Sequence, residues 1–186
     1  MKRLFDLTLV LAGAITLAFP LLFVAFLVKI TSKGPVIYWS ERIGKHNAMF
    51  LMPKFRTMLI DTPAVATHLL DNPAAYLTPV GGFLRRSSLD ELPQLWCIFK
   101  GDMTFVGPRP ALFNQYDLIE LRTQARVHEI LPGLTGWAQV NGRDELPIPQ
   151  KVILDAHYRQ HQSIWLDLKI IVLTVFKVVK RDGVVH

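Results

Sequence analysis

"LFDLTLVLAGAITLAFPLLFVAFLV", Leu4 to Val28, carries a single charge, Asp6, in 25 residues. As one helix it is about 37 Å long, more than the roughly 30 Å hydrocarbon core of a bilayer. A secretory leader has an apolar stretch of only about 7–15 residues and a small-residue cleavage site, and neither fits. Basic residues flank the stretch on both sides: Lys2 and Arg3 before it, Lys29, Lys33, Arg42 and Lys45 after it. Such residues favour the cytoplasmic side, so a straight span has to push one cluster outward. Pro20 offers another path, because its missing N–H frees the carbonyl of Thr16 and bends the helix. The expectation is a re-entrant membrane helix over residues 1–32, broken at Pro20, with both ends in the cytoplasm. The freed carbonyl then needs a donor, and the Thr16 hydroxyl or a water is the nearest one. Residues 33–186 form the cytoplasmic domain in this reading.

The whole chain has 186 residues, enough for one domain with a substantial core. Half of it is apolar (51%), and 21 Lys and Arg face 15 Asp and Glu, for a net charge of +6. A basic, apolar protein suits an anionic membrane surface or anionic substrates such as phosphates. Zinc-finger spacing, a basic heptad and an aromatic RNA-binding signature are all missing from the sequence, which excludes the common nucleic-acid modules. Cys97 is the single cysteine, so no internal disulfide forms and a reducing cytosol is the natural setting.

Beyond Gly34-Pro35, "VIYWSERIG" and "MFLMPKFRTM" read as two strands joined by the turn "GKHN". Residues 61–82 hold three prolines and read as a loop with one short helical turn. A helix is expected from Glu91 to Lys100, and another in "NQYDLIELRTQARVHEIL", with its apolar spacing at Tyr116, Ile119, Leu121 and Val127. Trp137 to Val140 reads as a short strand, and Gln150 to Lys180 as one or two helices, lying in the core or along a membrane interface. The fold class expected is α+β: a mostly helical single domain with a small hairpin or sheet.

Two constellations carry chemistry. In "SSLDELPQLW", Asp90 and Glu91 stand side by side at a helix start, where negative groups are favoured by unpaired N–H groups. Ser88 and Glu91 fit a capping box, but Pro93 then falls at the fifth helical residue. A start at Leu89 or Asp90 removes that conflict, so the spacing leaves the cap open. Around them the chain spreads basic residues: Lys54 and Arg56 in "PKFRTM", Arg85 and Arg86 in "GGFLRRSS", Arg109 in "GPRP" and Arg143 in "NGRD". The guanidinium fork matches phosphate oxygens. Pro108 and Pro110 give Arg109 a rigid mount. Together these residues suggest a diphosphate site facing two carboxylates, and that combination points to Mg²⁺ held by Asp90 and Glu91. Other motifs fail. Neither common glycine-rich phosphate loop is present, and His157 and His161 have zinc-helix spacing without a glutamate between them or a third ligand.

"KFRTM", "LRRSSLDELPQLW", "KGDMTFVGPRP", "PGLTGWAQVNGRD" and "DLKIIVLT", in that order, resemble the bacterial sugar transferases called monotopic phosphoglycosyl transferases. The resemblance covers nearly the whole chain. It implies transfer of a sugar-1-phosphate from a UDP-sugar, an N-acetylated hexosamine by analogy, to undecaprenyl phosphate with release of UMP. Such a step begins a surface or secreted glycan. By the same correspondence Asp90 is the nucleophile that forms an acyl-phosphate, and Glu91 holds Mg²⁺ and assists the incoming lipid phosphate. Arg109 with Pro108 and Pro110 then belongs to nucleotide binding, Arg143 to phosphate contact, and Lys54 and Arg86 to phosphate by charge and motif position. The implied partners are the UDP-sugar, the lipid phosphate and membrane phospholipid, with a homodimer and downstream glycosyltransferases compatible with the family. The implied location is the bacterial inner membrane, with the catalytic domain on its cytoplasmic face. The chain departs from the family at Phe19, where a serine commonly precedes the helix-breaking proline, and at Cys97, where asparagine is usual. The rival readings are a catalytically silent membrane-anchored scaffold and a peripheral lipid-binding protein.

Overall fold

A computed structural model describes residues 1–63, 72–142 and 146–180. The apolar N-terminal stretch is two helices, α1 (Lys2–Thr16) and α2 (Ala18–Thr31), bent by 63° at Leu17. The break therefore falls three residues before Pro20, which sits in the first turn of α2. Proline clashes with the carbonyl four residues earlier, so the chain leaves the first helix at Thr16 and resumes where a missing N–H costs nothing. The Thr16 hydroxyl does not reach forward to the bend; it donates back to Ala12 O at 2.9 Å and Gly13 O at 3.3 Å. Among the described residues no single helix is long and apolar enough to cross a membrane, although this bent pair passes by length and composition together.

One face of the pair is core. Val10 packs with Met52, Cys97, Ile98 and Met103. Val24 and Val28 pack with Phe55 and Leu84. The other face exposes Leu4, Leu11, Ile15, Phe19, Leu22, Phe23, Phe26 and Ile30. Both ends are tied to the same folded body. Lys2 Nζ donates to Val106 O at 3.0 Å and Asp167 Oδ2 at 2.5 Å, and Arg3 reaches the carbonyls of Ile98 and Phe99. Asp6, the charge inside the apolar run, is 2% exposed and accepts from Thr104 Oγ1 (2.8 Å) and Phe105 N (3.1 Å). At the far end Arg56 closes α2 by donating to Ser32 O, Ser32 Oγ and Lys33 O.

β1 (Ile37–Ile43) and β2 (Met49–Phe55) form the expected hairpin, in register from Ile37↔Phe55 to Ile43↔Met49. His46 and Asn47 take left-handed backbone angles in its turn. β1 also pairs with β4 (Ala111–Leu112), giving the order β2-β1-β4. A separate parallel pair joins β3 (Thr104–Val106) to β5 (Gly133–Thr135). The backbones are so close here that a Cβ on Gly133 would lie 2.1 Å from Gly107 N, and one on Gly136 2.1 Å from Gly107 O. Only glycine permits that approach.

The helices of the domain are α3 (Gly81–Arg86), α4 (Leu95–Lys100), α5 (Tyr116–Gln124), α6 (Trp137–Val140), α7 (Ile148–Gln160) and α8 (Ile164–Lys180). Several sequence expectations change. Trp137–Val140 is a helical turn rather than a strand, because β5 ends at Thr135 and Gly136 caps the turn. The helix expected from Glu91 is split: a 3₁₀ segment, Leu89–Gln94, absorbs Pro93 before α4 begins at Leu95. On α5, Leu118 is buried with Ile119 and Leu121 packed beside it, while Tyr116 is 73% exposed, since the helix starts at Tyr116 and its first residue pair, Tyr116 and Asp117, faces outward. The C-terminal region is two helices, and α8 leaves Trp165, Val172, Val175 and Phe176 exposed opposite buried Ile170. A mixed, mainly helical α+β fold is the result.

Candidate active site

Asp90 and Glu91 lie in the 3₁₀ segment packed against β2. The chain enters it through Ser88, whose φ of 56° is left-handed and whose side chain makes no cap bond. The capping box is therefore not formed. Glu91 turns away from its own helix start toward cations instead. Its Oε1 accepts from Lys54 Nζ on β2 and from Arg109 Nη2 in the loop between β3 and β4, each at 2.8 Å. Three segments far apart in sequence thus meet on one oxygen.

The two carboxylates differ electrostatically. Burial by itself would raise the Glu91 pKa, but Arg109 and Lys54, by charge and hydrogen bond, hold it well below the ordinary range. Burial pushes Asp90 the other way, up, with the Glu91 charge adding to it and Lys54, Arg85 and Arg109 opposing. Among the described residues, the hydrogen bonds from cations to the dyad all end on Glu91. Asp90 is 7% exposed. Burial also lowers the pKa of Lys54, against the pull of Glu91.

Of the remaining residues expected here, Arg85 on α3 donates through Nε to Thr57 Oγ1 at 3.0 Å and acts on Asp90 through charge. Pro108 and Pro110 flank Arg109 as expected. Arg56 is a correction: its guanidinium is committed to the C-terminus of α2, where unpaired carbonyls attract a cation, and it is 5% exposed. Arg86 is also not brought to the dyad; it is exposed and lies along α3 over Gly82. Arg143 falls outside the described residues.

Sequence reasoning missed Arg42. It projects from β1, where burial and nearby Arg109 lower its pKa to about 10, and it donates to Ser40 Oγ and to Pro110 O. A lone arginine in a strand of mixed polarity carries no signal until β1 is paired with β4. Asp155 and Arg122, on α7 and α5, were equally invisible. His157 and His161 are exposed and stack at 4.2 Å, with His157 beside Trp137.

Among the described residues no three His, Cys, Asp or Glu side chains gather into a metal cluster. The dyad alone supplies two adjacent carboxylates. That set fits Mg²⁺, which takes one or two protein carboxylates and fills its shell with phosphate oxygens and water.

Two largely buried carboxylates with a lysine and an arginine on one of them make a site that suits an anionic phosphate substrate. A family model described as "Bacterial sugar transferase" matches residues 1–181, and the chain belongs to that family of transferases. It is 41% identical over 184 residues to the uncharacterized sugar transferase EpsL of Bacillus subtilis (strain 168), covering 99% of this chain and 90% of that protein. It is 40% identical over 185 residues to an undecaprenyl-phosphate glucose phosphotransferase of Komagataeibacter xylinus (94% of this chain, 35% of that protein). It is 39% identical over 186 residues to a UDP-glucose:undecaprenyl-phosphate glucose-1-phosphate transferase of Escherichia coli (strain K12), with 95% and 40% covered. The chain thus spans well under half the length of these two named transferases.

Proposed function

We propose that the protein transfers a sugar-1-phosphate from a UDP-sugar to undecaprenyl phosphate through a covalent intermediate on Asp90, releasing UMP and beginning a glycan. The observation that carries this reading is the division of labour in the dyad. Glu91 is bonded to two cations, while Asp90 beside it is buried and, among the described residues, takes no hydrogen bond from a cation. An Asp90 oxygen attacks the sugar-bearing phosphorus, and the bond from that phosphorus to the UMP oxygen breaks. An oxygen of undecaprenyl phosphate then attacks the same phosphorus and the acyl-phosphate bond breaks, regenerating Asp90. Two displacements replace one transfer between mutually repelling anions.

Lys54 and Arg109 serve in two ways. They keep Glu91 ionised, and their buried charge offsets that of incoming phosphate oxygens. Bound Mg²⁺ would supply Lewis-acid neutralisation of the diphosphate, held by Asp90 and Glu91. The apolar face of α1 and α2 suits the lipid substrate. By helix rise the bent pair is a shallow V whose apex lies about 11 Å from the line joining its ends, within one leaflet of a core roughly 30 Å thick. Both ends are bonded to one folded body, which supports the re-entrant reading with the site on the cytoplasmic face. Tags at residue 1 and after α2 should both be accessible from the cytoplasm only, and a periplasmic tag would establish a full span.

The test is UMP release by purified protein with undecaprenyl phosphate and Mg²⁺. The donors run from UDP-glucose and UDP-galactose to the UDP-N-acetylhexosamines expected from the family resemblance. Release should require Asp90 and stop under chelation. Donor-dependent release that persists in Asp90→Asn would remove Asp90 from the nucleophile role.

A further inference from the structure

The two prolines beside Arg109 restrict its local backbone but do not fix where that segment sits in the fold. Residues 107–110 lie between β3 and β4 in no regular structure, and the prolines there bring carbonyls without N–H groups. Each of those acceptors needs a donor from elsewhere. Pro108 O takes Gly133 N at 2.8 Å, and Pro110 O takes Arg42 Nη1 at 3.2 Å. The carbonyl of Arg109 itself takes Arg122 Nη1, at 2.7 Å. Arg122 is in turn fixed by Asp155, whose Oδ2 accepts from its Nε (3.0 Å) and Nη2 (2.6 Å). Asp155 is 1% exposed and the Arg122 side chain 11%.

We propose that Arg122, oriented by Asp155, is a positioning residue for the transfer reaction: it holds the backbone of Arg109 so that the Arg109 guanidinium meets Glu91 and the donor diphosphate. This rests on the reading of Arg109 as a donor-binding residue. A guanidinium suits the task because one edge can grip a carboxylate while the remaining nitrogen reaches a carbonyl, which a lysine ammonium cannot do in fixed geometry. The chain of contacts is continuous from α7 through α5 to the dyad: Asp155, Arg122, Arg109 backbone, Arg109 Nη2, Glu91 Oε1. Displacements of about 1 Å at such a site cost on the order of 100-fold in rate.

The alternative is that the ion pair merely fastens α5 to α7. Leu118 on α5 and Val152 on α7 already do that in the apolar cluster with Ala111, and they provide the control. The experiment compares full-length wild type, Arg122→Met, Arg122→Lys, Asp155→Asn, the Arg122→Met/Asp155→Asn pair and Val152→Ala. For each, KM and kcat are measured with the UDP-sugar and with undecaprenyl phosphate, together with UDP affinity and the thermal midpoint. Arg122→Met should raise the donor KM and weaken UDP binding by about 10-fold or more, leaving the acceptor KM little changed. Arg122→Lys should recover part of the loss. Asp155→Asn added to Arg122→Met should cost nothing further, because Asp155 acts through Arg122. Val152→Ala should lower the midpoint without moving the donor KM. An unchanged donor KM in Arg122→Met, or an equal rise in Val152→Ala at equal loss of stability, overturns the proposal. If Arg122→Met does not fold, Arg122→Lys and Asp155→Asn decide by the same criteria. Wild-type protein that binds UDP but releases no UMP would sink the reaction while leaving UDP affinity to judge Arg122. Wild-type protein that does neither sinks both.

Discussion

Two of the groups of buried carboxylates among the described residues are built differently. Under the N-terminal helix, Asp6 and Asp167 have donors on both oxygens. Asp6 takes Thr104 Oγ1 and Phe105 N, and Asp167 takes Lys2 on Oδ2 and the Tyr158 hydroxyl on Oδ1 at 2.6 Å. In the dyad, two cations crowd onto a single oxygen of Glu91, and Asp90 is buried without a hydrogen bond from a cation among the described residues. Both groups desolvate charge, which is costly unless it is paired. The first group is closed and holds α1 onto β3 and α8. The second is where the proposed diphosphate and its Mg²⁺ would bind, against Asp90 and Glu91.

The comparison breaks most sharply on chemistry. Asp90→Asn should lower turnover by at least about 1,000-fold, as loss of a covalent nucleophile does, and should abolish any phosphosugar adduct detected by mass spectrometry. Asp6→Ala, in the closed group, should leave turnover per folded molecule far less affected. Its cost is stability: two buried donors lose their acceptor, worth about 1–3 kcal/mol, seen as a drop of roughly 2–10 °C in the thermal midpoint.

Within the dyad the stability effects should have opposite signs. Glu91→Gln leaves Lys54 and Arg109 without their counter-charge. A loss of about 2–3 kcal/mol is expected, below the full figure for a buried pair because Arg109 is 31% exposed. Asp90→Asn should instead raise the midpoint at pH 7 by a few degrees, because it removes a charge that burial disfavours.

The pH dependence in metal-free buffer sharpens this further. The folded-state pKa of Asp90 is raised, so between the unfolded value near 3.8 and that higher value the folded protein keeps a proton the unfolded chain has lost. Stability from this group therefore falls as pH rises through the window, and the gain from Asp90→Asn should vanish near pH 4. The Glu91 pKa is depressed, so its contribution is complete above about 4.5 and is lost as pH falls toward its folded value. The penalty of Glu91→Gln should shrink in acid. Midpoints that move together with pH in both variants would show that the two acids are not differentiated.

Ser88 should give the smallest effect. Its left-handed angle costs about 1–2 kcal/mol that glycine would relieve, nearly offset by the entropy glycine adds to the unfolded chain. Ser88→Gly should shift the midpoint by no more than about 2 °C.

Much of this was written locally. The apolar run with its proline, the hairpin around "GKHN", the adjacency of Asp90 and Glu91, and the proline-flanked Arg109 are neighbours in sequence, and short-range rules of charge, hydropathy and turn chemistry reach them. Asp6 stood out as the only charge in its stretch, although its partners did not. What the sequence could not assign was which basic residue pairs with which acid. Arg56 and Lys54 are two positions apart on the chain, yet β2 ends between their roles: Lys54 faces Glu91, while Arg56 turns to the end of α2. Arg42, Arg122 and Asp155 came into view only when β1 met β4 and α5 packed on α7. The residue types that can do the chemistry are a property of the chain. Which of them do it is decided by packing, because an ion pair needs charges within about 4 Å and only the tertiary fold sets distances across dozens of residues.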